Sequence, residues 1–441
     1  MKYDVIIIGG GITGASLFYV LSNYTNIDSL ALIEKCPDLG QINSRETNNS
    51  QTLHFGDIET NYDLEKAKAV KEAATMMEAY FERKIKEEEG NIFIKTPKMV
   101  LGVGRPEAET LKKRFETFKD LYPDLKILDR EAIGRVEPEI LNGRPEDEEI
   151  LALYSENSYT VDFGRLAGNF VHNSLGQSDK TTDIFLKTKV KKINDCGEVF
   201  EVVADGRSFY GETVAVAAGA HSLLFAKSLC YGEELFLLPM AGNFYCSKKK
   251  FLRSKVYSIQ DEKLPFAAVH ADPNIRVPGE VRFGPTAKAL PILERGNLYT
   301  LKDFFKTNGL DLRMVRSIVS ILSDRTVFRF VLKNLLYDLP FFGKLAFVRT
   351  ARKIIPSLSY RDLSSGKGLG GIRPQLINKN TRKLMMGEAE ILGRNIIFNV
   401  TPSPGATAAL KSAEHGTRKI INFLKGYFAF EEERFKKDFY E

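Results

Sequence analysis

The sequence predicts an α/β fold in which one parallel sheet is assembled from segments that lie far apart in the chain. At the start, residues 5–14 read VIIIGGGITG, four β-branched residues that run into glycines. In the middle, residues 211–222 read GETVAVAAGAHS, another apolar run that ends in small residues. Near the end, residues 393–424 give a strand, a Pro/Gly turn and a long helix. Short apolar runs bounded by glycine are typical of strands buried on both faces of a sheet.

A glycine pattern follows the first predicted strand. Gly9, Gly11 and Gly14 have the spacing G-x-G-x-x-G, which is typical of a dinucleotide-binding turn between a strand and a helix. The first glycine permits the tight turn, and the second lets the backbone approach a pyrophosphate. The third lets the following helix, 14–23, pack closely against the strand. Because the start of a helix has free N–H groups and a positive dipole end, we expect the phosphates there, beside Thr13.

An acidic residue stands where this fingerprint needs one. A second buried strand is predicted at residues 29–35, and it contains Glu34, 20 residues after Gly14. The fingerprint uses an acid at about this distance to accept hydrogen bonds from ribose hydroxyls. Since an acid favours a free 2′-hydroxyl, the sequence predicts FAD or NAD rather than NADP. A glycine-rich turn with a chance acid is the alternative, and the complete order of strand, glycines, helix, strand and acid argues against it.

Composition narrows the class of protein further. With 441 residues, 43% of them hydrophobic, the chain is long enough for two domains. Four cysteines without a C-x-x-C pair favour neither a zinc site nor a disulfide framework, and we expect reduced thiols and a cytoplasmic location. No stretch reaches the roughly 18–20 apolar residues that cross a bilayer. Residues 431–441 are expected to be a charged, solvated tail.

Histidines are the first candidates for a general base, because their pKa lies near neutrality without special tuning. The chain has five histidines. His270 stands in KLPFAAVHADPN, where a short apolar strand is expected to deliver it to a loop. His54 lies in a polar loop and is the second candidate. His172 and His415 fall in helical patterns and are expected to be structural or exposed.

Several longer motifs resemble one known family. The segments NNSQTLHFGDIETNY, KLPFAAVHADP, RFGPTA, RPQL and NVTPSPGATAAL are together similar to the malate:quinone oxidoreductases, nearest to the shorter form of ε-proteobacteria. The resemblance runs over nearly the whole chain, and the combination of IETNY with TPSPGAT is more specific than the glycine fingerprint. The layout also resembles the wider D-amino-acid-oxidase-like group of FAD-dependent oxidoreductases.

The resemblance implies how the chain is divided. In that group a Rossmann-like FAD-binding domain is assembled from separated pieces, and an inserted α+β domain with a mixed or antiparallel sheet covers the flavin. We expect the FAD-binding domain at residues 1–90, 161–239 and 356–430. We expect the substrate and membrane-facing domain at residues 91–160 and 240–355.

The resemblance also implies an activity. The enzyme is expected to oxidise (S)-malate to oxaloacetate with FAD and to pass the electrons to a membrane quinone without NAD. A related FAD enzyme that oxidises L-2-hydroxyglutarate or another 2-hydroxyacid is the alternative. One methylene separates the two substrates, and a pocket discriminates such a difference by only about 1–3 kcal/mol.

Malate is a small dianion, so its oxidation needs cations for the carboxylates and a base for the hydroxyl proton. We expect Arg373 in GGIRPQL and Arg282 in VRFGPTA to clamp the carboxylates, because the planar fork of arginine matches a carboxylate. Lys288 is expected to assist. His270 is the predicted base, and His54 is the reserve.

Two further segments are expected to contact the cofactor. The loop at residues 47–62 is polar, and in the family it passes the pyrophosphate and the flavin ring; an ordinary surface loop is the alternative. The expected contacts there are Ser50, Gln51 and Thr52. The turn TPSPGATAAL, stiffened by Pro402 and Pro404, is expected to aim backbone N–H groups at the flavin. Those groups belong to Gly405, Ala406 and Thr407, and Val190 and Gly219 complete the expected cofactor site.

Residues 311–353 have an unusual charge. They contain nine basic and three acidic residues, a surplus of six that equals the net charge of +6 of the whole chain. They are also rich in Ile, Val, Leu and Phe at helical spacing, and a basic amphipathic surface suits an anionic membrane. We therefore expect a peripheral protein on the inner face of the cytoplasmic membrane. A buried helical lid over the substrate is the alternative.

Overall fold

A computed structural model describes most of the chain. The described residues are 1–86, 90–176, 180–260, 268–309, 312–337, 339, 342–366, 368–385, 389–400 and 405–441. The strands, in chain order, are β1 (Lys2–Ile8), β2 (Ser29–Ile33), β3 (Thr52–Leu53), β4 (Phe93–Lys95), β5 (Lys98–Val103), β6 (Lys126–Leu128), β7 (Ile150–Ser155), β8 (Tyr159–Val161), β9 (Thr181–Phe185), β10 (Val190–Asp195), β11 (Phe200–Ala204), β12 (Arg207–Val216), β13 (Leu235–Ala241), β14 (Tyr245–Ser247), β15 (Lys255–Ser258), β16 (His270–Pro273), β17 (Val281–Gly284), β18 (Lys288–Ala289), β19 (Ser364–Ser365), β20 (Ile372–Asn378), β21 (Lys383–Leu384), β22 (Ala389–Gly393) and β23 (Ile396–Val400).

Helices separate and cover these strands. They are α1 (Ile12–Tyr24), α2 (Leu64–Lys84), α3 (Arg105–Phe118), α4 (Arg130–Val136), α5 (Phe163–His172), α6 (Ser222–Ser228), α7 (Leu301–Asn308), α8 (Leu312–Leu322), α9 (Arg325–Tyr337), α10 (Phe342–Ala351), α11 (Ala409–Phe423) and α12 (Glu432–Phe439). None of the helices in the described ranges is long and apolar enough to cross a membrane.

The first sheet confirms the predicted α/β fold. Its strands run in the order β10, β11, β12, β1, β2 and β9, and the second half of β12 also pairs with β23. The pairs β12–β1, β1–β2, β2–β9 and β12–β23 are all parallel. Strands from the start, middle and end of the chain thus meet in one sheet, because their apolar residues are buried on both faces.

A second, mixed sheet lies beside the first. Its order is β19, β14, β17, β16, β15, β5, β7 and β6, and only the β15–β5 pair is parallel. A four-stranded antiparallel sheet has the order β18, β13, β20 and β21. We propose the predicted sequence boundaries as the division into two domains. Strand pairs cross these boundaries in two places. Strand β19 falls within residues 356–430 and pairs with β14 of the mixed sheet, and β3, within residues 1–90, pairs with β8 at Tyr159 and Thr160.

Helices α1, α2, α5, α11 and α12 pack around one core cluster. Helix α2 begins after the Asp63 cap and ends at Lys84. The prediction of a solvated tail at residues 431–441 was wrong. This segment forms α12, with Phe435 and Phe439 buried against Tyr24 of α1, because aromatic residues four apart share one face of a helix.

Candidate active site

One cavity runs along the carboxyl ends of β1, β2 and β12. Parallel α/β sheets place their ligands at this edge. The cavity continues past the polar loop before β3, the first residues of β20 and the turn before α11. Of the residues predicted to contact the cofactor, the following line it: Gly9, Gly11, Thr13, Glu34, Ser50, Thr52, Val190, Gly219, Gly405, Ala406 and Thr407. Pro402 and Pro404, expected to stiffen that turn, lie outside the described residues.

The glycine fingerprint leaves no space for side chains at two positions. A Cβ atom on Gly14 would lie 1.9 Å from the carbonyl oxygen of Gly9. Gly9 itself has a φ of +110°, and a Cβ atom there would lie 2.4 Å from the carbonyl oxygen of Ala217. Helix α1 begins at Ile12 after the N-cap residue Gly11, and Gly11, Ile12 and Thr13 at its amino end line the cavity. These features fit the pyrophosphate of a dinucleotide.

We expect Gly14→Ala to lose bound FAD. The added methyl group forces α1 away from β1, which separates the helix end from the glycine turn. The FAD-to-protein ratio of the purified variant should fall to about a tenth or less of that of the wild type, a change of about 1.4 kcal/mol in binding.

The matched control is Gly168→Ala on α5, where a Cβ atom meets no other atom within 4 Å. It should retain the flavin and the visible absorbance of the wild type. A Gly14→Ala protein with an unchanged FAD ratio would contradict the proposed pyrophosphate site.

Glu34 both braces the glycine turn and faces the cavity. Its Oε2 atom accepts a hydrogen bond of 2.7 Å from the backbone N–H of Gly10, and its Oε1 atom accepts one of 2.8 Å from Cys36. An ionised carboxylate has about four acceptor sites. Two backbone bonds therefore leave acceptor capacity for ribose hydroxyls, and the donors and acceptors at this end of the cavity fit an adenine dinucleotide.

Gln51 was expected to contact the cofactor, but it does not line the cavity. Its side chain turns away from the cavity: Nε2 donates to the carbonyl of Glu46 at 3.0 Å, and Oε1 accepts from the N–H of Ile275 at 3.2 Å. Gln51 thus fixes the polar loop to the segment after β16, and its neighbours Ser50 and Thr52 face the cavity.

Two buried basic side chains, Lys255 and Arg282, donate hydrogen bonds to the polar loop before β3. Lys255 donates to the carbonyl of Ser50 at 3.0 Å and to the Thr52 hydroxyl at 2.8 Å, and burial lowers its pKa to about 8. Arg282 donates to the carbonyls of Glu46 and Asn49. The prediction that Arg282 clamps a substrate carboxylate is therefore not supported, because both of its terminal nitrogens are bound to backbone and it does not line the cavity. Lys288, on β18, does not line the cavity either.

Arg373 is the cation that reaches the cavity from β20. Within the described part of the chain its guanidinium has no hydrogen-bond or ion-pair partner, and burial lowers its pKa. The preceding residue is held firmly: the Asn43 amide accepts from the N–H of Ile372 at 3.1 Å and donates to its carbonyl at 2.9 Å. No local sequence pattern indicates Asn43, because its contact lies 329 positions away in the chain.

His54 also lines the cavity, and its ring contacts a carboxylate on the side away from the cavity. Its Nδ1 atom lies 2.7 Å from Oε1 of Glu59. Burial alone would raise the pKa of Glu59, yet the nearby charge of Lys98 and the bond from His54 hold it at about 2. The backbone N–H of His54 donates to the Thr407 hydroxyl at 3.1 Å, which joins the polar loop to the turn before α11. A carboxylate on Nδ1 leaves Nε2 as the acceptor nitrogen.

The predicted base His270 lies elsewhere. It begins β16, has only 1% of its surface exposed and does not line the cavity. Its Nδ1 atom lies 2.7 Å from Oδ2 of Asp272, a contact that is not aligned as a hydrogen bond. Its ring stacks on Tyr257 with 4.6 Å between ring centres. Burial lowers the pKa of His270, and the charge of Asp272 opposes this shift.

The fold is shared with known flavoproteins. An L-α-glycerophosphate oxidase from Mycoplasma pneumoniae, solved with FAD bound, has a TM-score of 0.66 and 18% identity, and the alignment covers 98% of this chain and 96% of that one. Together with the glycine fingerprint and the cavity, this fold defines an FAD-dependent oxidoreductase.

Comparison with known sequences places the chain in one family within that class. A family model described as malate:quinone oxidoreductase (Mqo) matches residues 1–388. A Campylobacter jejuni protein named "Probable malate:quinone oxidoreductase" is 40% identical over 99% of both chains. The Helicobacter pylori malate:quinone oxidoreductase is 40% identical over 99% of this chain and 98% of that one. The chain belongs to the malate:quinone oxidoreductase family, which confirms the resemblance seen in its motifs.

Proposed function

We propose that this protein oxidises (S)-malate to oxaloacetate with FAD and transfers the electrons to a quinone. The observation that carries the proposal is the pair of Arg373 and His54 on the wall of the dinucleotide cavity. Arg373 supplies a partly buried cation that has no ion-pair partner among the described residues, and His54 supplies an imidazole whose Nδ1 atom contacts a carboxylate. The names of the relatives over nearly the whole chain support malate and quinone as the substrates.

Arg373 binds and orients the substrate in this proposal. FAD, when bound, accepts the hydride that leaves the carbon bearing the hydroxyl. The guanidinium forms a bidentate ion pair with a carboxylate, and this ion pair offsets the cost of desolvating the guanidinium. Because its backbone is fixed through Asn43 and Ile372, the bound acid is held in one orientation, and orientation contributes to rate.

His54 accepts the hydroxyl proton. Its Nδ1–H is directed at Glu59, so Nε2 receives the proton and the imidazolium that forms is stabilised by the carboxylate. This is the arrangement in which a positioned base is effective near neutral pH. We prefer His54 to His270 because His270 is shielded from the cavity by Tyr257 and Phe244.

The turn before α11 supports the developing negative charge. Gly405, Ala406 and Thr407 line the cavity just before the amino end of this helix, which begins at Ala409. Backbone N–H groups and the positive end of the helix dipole stabilise negative charge in a water-poor site. We propose that this is the end of the cavity at which the reduced cofactor is stabilised.

A comparison of acids and acceptors tests the proposed function. With a short-tailed quinone as acceptor, kcat/KM should be highest for (S)-malate, at least about tenfold above that for L-2-hydroxyglutarate, since one methylene is worth about 1–3 kcal/mol. Oxygen should replace the quinone poorly. A preference for L-2-hydroxyglutarate would contradict the proposal. A Caenorhabditis briggsae protein named "L-2-hydroxyglutarate dehydrogenase, mitochondrial" is 24% identical to this chain.

We also propose that helices α8 to α10 rest on an anionic membrane surface. Their outer faces expose large apolar side chains, and among the most exposed are Leu312, Val319, Phe328, Leu332, Leu335 and Phe342. Arginines and lysines in the same segment supply positive charge. Contiguous exposed apolar residues with basic neighbours suit an interface with anionic lipid, where a quinone is dissolved. The inner face of the cytoplasmic membrane provides such lipids.

Leu332→Asp is expected to weaken binding to anionic liposomes at least about tenfold, because an apolar contact is lost and a like charge is added. Co-sedimentation at low salt measures the change. Leu392→Asp on β22 is the matched control, since both leucines are 50% exposed. If the wild type stays in the supernatant at low salt, or if both variants bind equally, the membrane surface is assigned wrongly.

A further inference from the structure

One face of the sheet that carries Arg373 leads away from the cavity. In the antiparallel pair of β13 and β20, Met240 stands opposite Arg373, and Leu238 stands opposite Gln375. Residues directly opposite each other, and residues two apart on one strand, point to the same face of a sheet. The four side chains therefore share one face, with Arg373 at the cavity and the two apolar residues beyond it.

Helix α9 covers this face. Phe330 packs with Leu238 on a small apolar cluster formed by Met240 and Ala287. The helix is fixed there by Asn334, whose Oδ1 atom accepts a hydrogen bond of 2.7 Å from the N–H of Ala287. This cluster is separate from the larger core clusters of the described residues.

The same cluster adjoins the cavity wall at a second point. Ala287 follows two residues after Pro285, and Met240 precedes Gly242 by two; both Pro285 and Gly242 line the cavity. A Cβ atom on Gly242 would lie 2.9 Å from Cβ of Pro285, so these two segments touch. The apolar cluster thus begins where the cavity wall ends.

Helix α9 is apolar on its opposite side as well. Phe328, Leu332, Leu335 and Leu336 are each between 46% and 55% exposed. One helix therefore separates an exposed apolar surface from an apolar cluster next to the catalytic cavity. The exposed apolar face of α9 and the apolar cluster beside Arg373 thus lie on opposite sides of the same helix.

We propose that the lipid-soluble quinone binds between α9 and the β13–β20 face, with Phe330, Met240 and Ala287 around its ring and its tail directed to the exposed side of α9. The inference rests on the proposed function and adds the location of its second substrate. A planar apolar ring with a hydrocarbon tail suits an aromatic and methionine-lined site, whereas malate, a dianion, suits Arg373.

The proposed reaction balances in electrons and protons, and the quinone must reach the cofactor through its own site or through the malate site. Malate loses a hydride and a hydroxyl proton to become oxaloacetate. The quinone takes up two electrons and two protons to become a hydroquinone, which equals what malate loses. With the quinone on the apolar side of Arg373, the two substrates approach the same cofactor from different directions.

Phe330→Ala tests the site. The variant enzyme, reduced anaerobically and mixed with a short-tailed benzoquinone in detergent, should be reoxidised about tenfold more slowly at low quinone concentration, as expected for loss of an aromatic contact. Reoxidation by ferricyanide, a hydrophilic acceptor, and reduction by malate should stay within about twofold. Phe305→Ala on α7, where the ring is 47% exposed, is the matched control and should behave as the wild type.

Equal quinone rates in both variants would overturn the site. So would an equal slowing of the malate, ferricyanide and quinone reactions in Phe330→Ala, since Phe330 would then affect the whole cavity. Reducing the flavin with dithionite keeps the test independent of malate, so failure of the proposed function and failure of this inference are distinguishable.

If Phe330→Ala does not fold, photolabelling of the unsubstituted protein with an azidoquinone tests the proposed quinone site. Label on peptides from residues 235–241 or 325–337, reduced by excess quinone, supports the site. Label confined to the peptides that line the dinucleotide cavity would show a shared entrance and overturn it.

Discussion

His54→Ala is expected to slow the reduction of bound flavin by malate by about 10²-fold to 10⁴-fold, the usual contribution of a positioned base. The imidazole lines the cavity, and Glu59 holds its Nδ1 atom at 2.7 Å. Without it the hydroxyl proton has no positioned acceptor. Anaerobic stopped-flow absorbance of the flavin measures the rate, and the FAD-to-protein ratio of the variant should be unchanged.

His270→Ala is the matched control for this result. His270 is buried behind Tyr257 and pairs with Asp272, so its loss should affect stability more than the rate of flavin reduction. The assignment of the base is wrong if His270→Ala shows the large loss of rate and His54→Ala reduces at the rate of the wild type. Glu59→Gln should give a smaller loss than His54→Ala, because it removes only the group that orients the base.

Arg373→Met is expected to lower kcat/KM for malate by at least about 10²-fold, because a charge-assisted pair of hydrogen bonds is worth several kcal/mol when it is shielded from water. Arg373→Lys should recover only part of this loss, since an ammonium group lacks the planar fork. The measurement is steady-state turnover over a range of malate concentrations, with most of the effect expected in KM.

Arg282→Met provides the contrast. Arg282 holds the carbonyls of Glu46 and Asn49, so its loss should loosen the loop that carries Ser50 and lower FAD occupancy and thermal stability. Arg373→Met should leave both unchanged. If Arg282→Met instead raises KM for malate while FAD occupancy is normal, and Arg373→Met does not, the two arginines have exchanged roles.

Local patterns predicted the fold around the glycine fingerprint, for physical reasons. The spacing of Gly9, Gly11 and Gly14 reports a close approach of backbone to backbone, and the contacts at Gly9 and Gly14 admit no Cβ atom. The apolar runs of β1, β12 and β23 predict a parallel sheet because each is buried on both faces. Such signals lie within a few residues of each other, and they do not depend on distant contacts.

Contacts between distant segments could not be predicted in the same way. Whether His54 or His270 faces the cavity depends on how Tyr257 of β15 packs against its cross-strand partner His270 of β16. The two terminal nitrogens of Arg282 are bound to a loop more than 200 positions away, and nothing near Arg282 in the sequence indicates this. Some signals were present and missed: Glu59 stands five residues after His54, and the aromatic spacing in α12 is helical.

One double-mixing experiment tests the central claim most directly. The FAD-loaded protein is mixed with (S)-malate in the absence of oxygen, and the reduced protein is then mixed with a short-tailed quinone. The account predicts that malate bleaches the flavin in a single fast phase and that the quinone restores its absorbance far faster than oxygen does. A flavin that malate leaves oxidised, but that L-2-hydroxyglutarate or another acid bleaches at once, would contradict it.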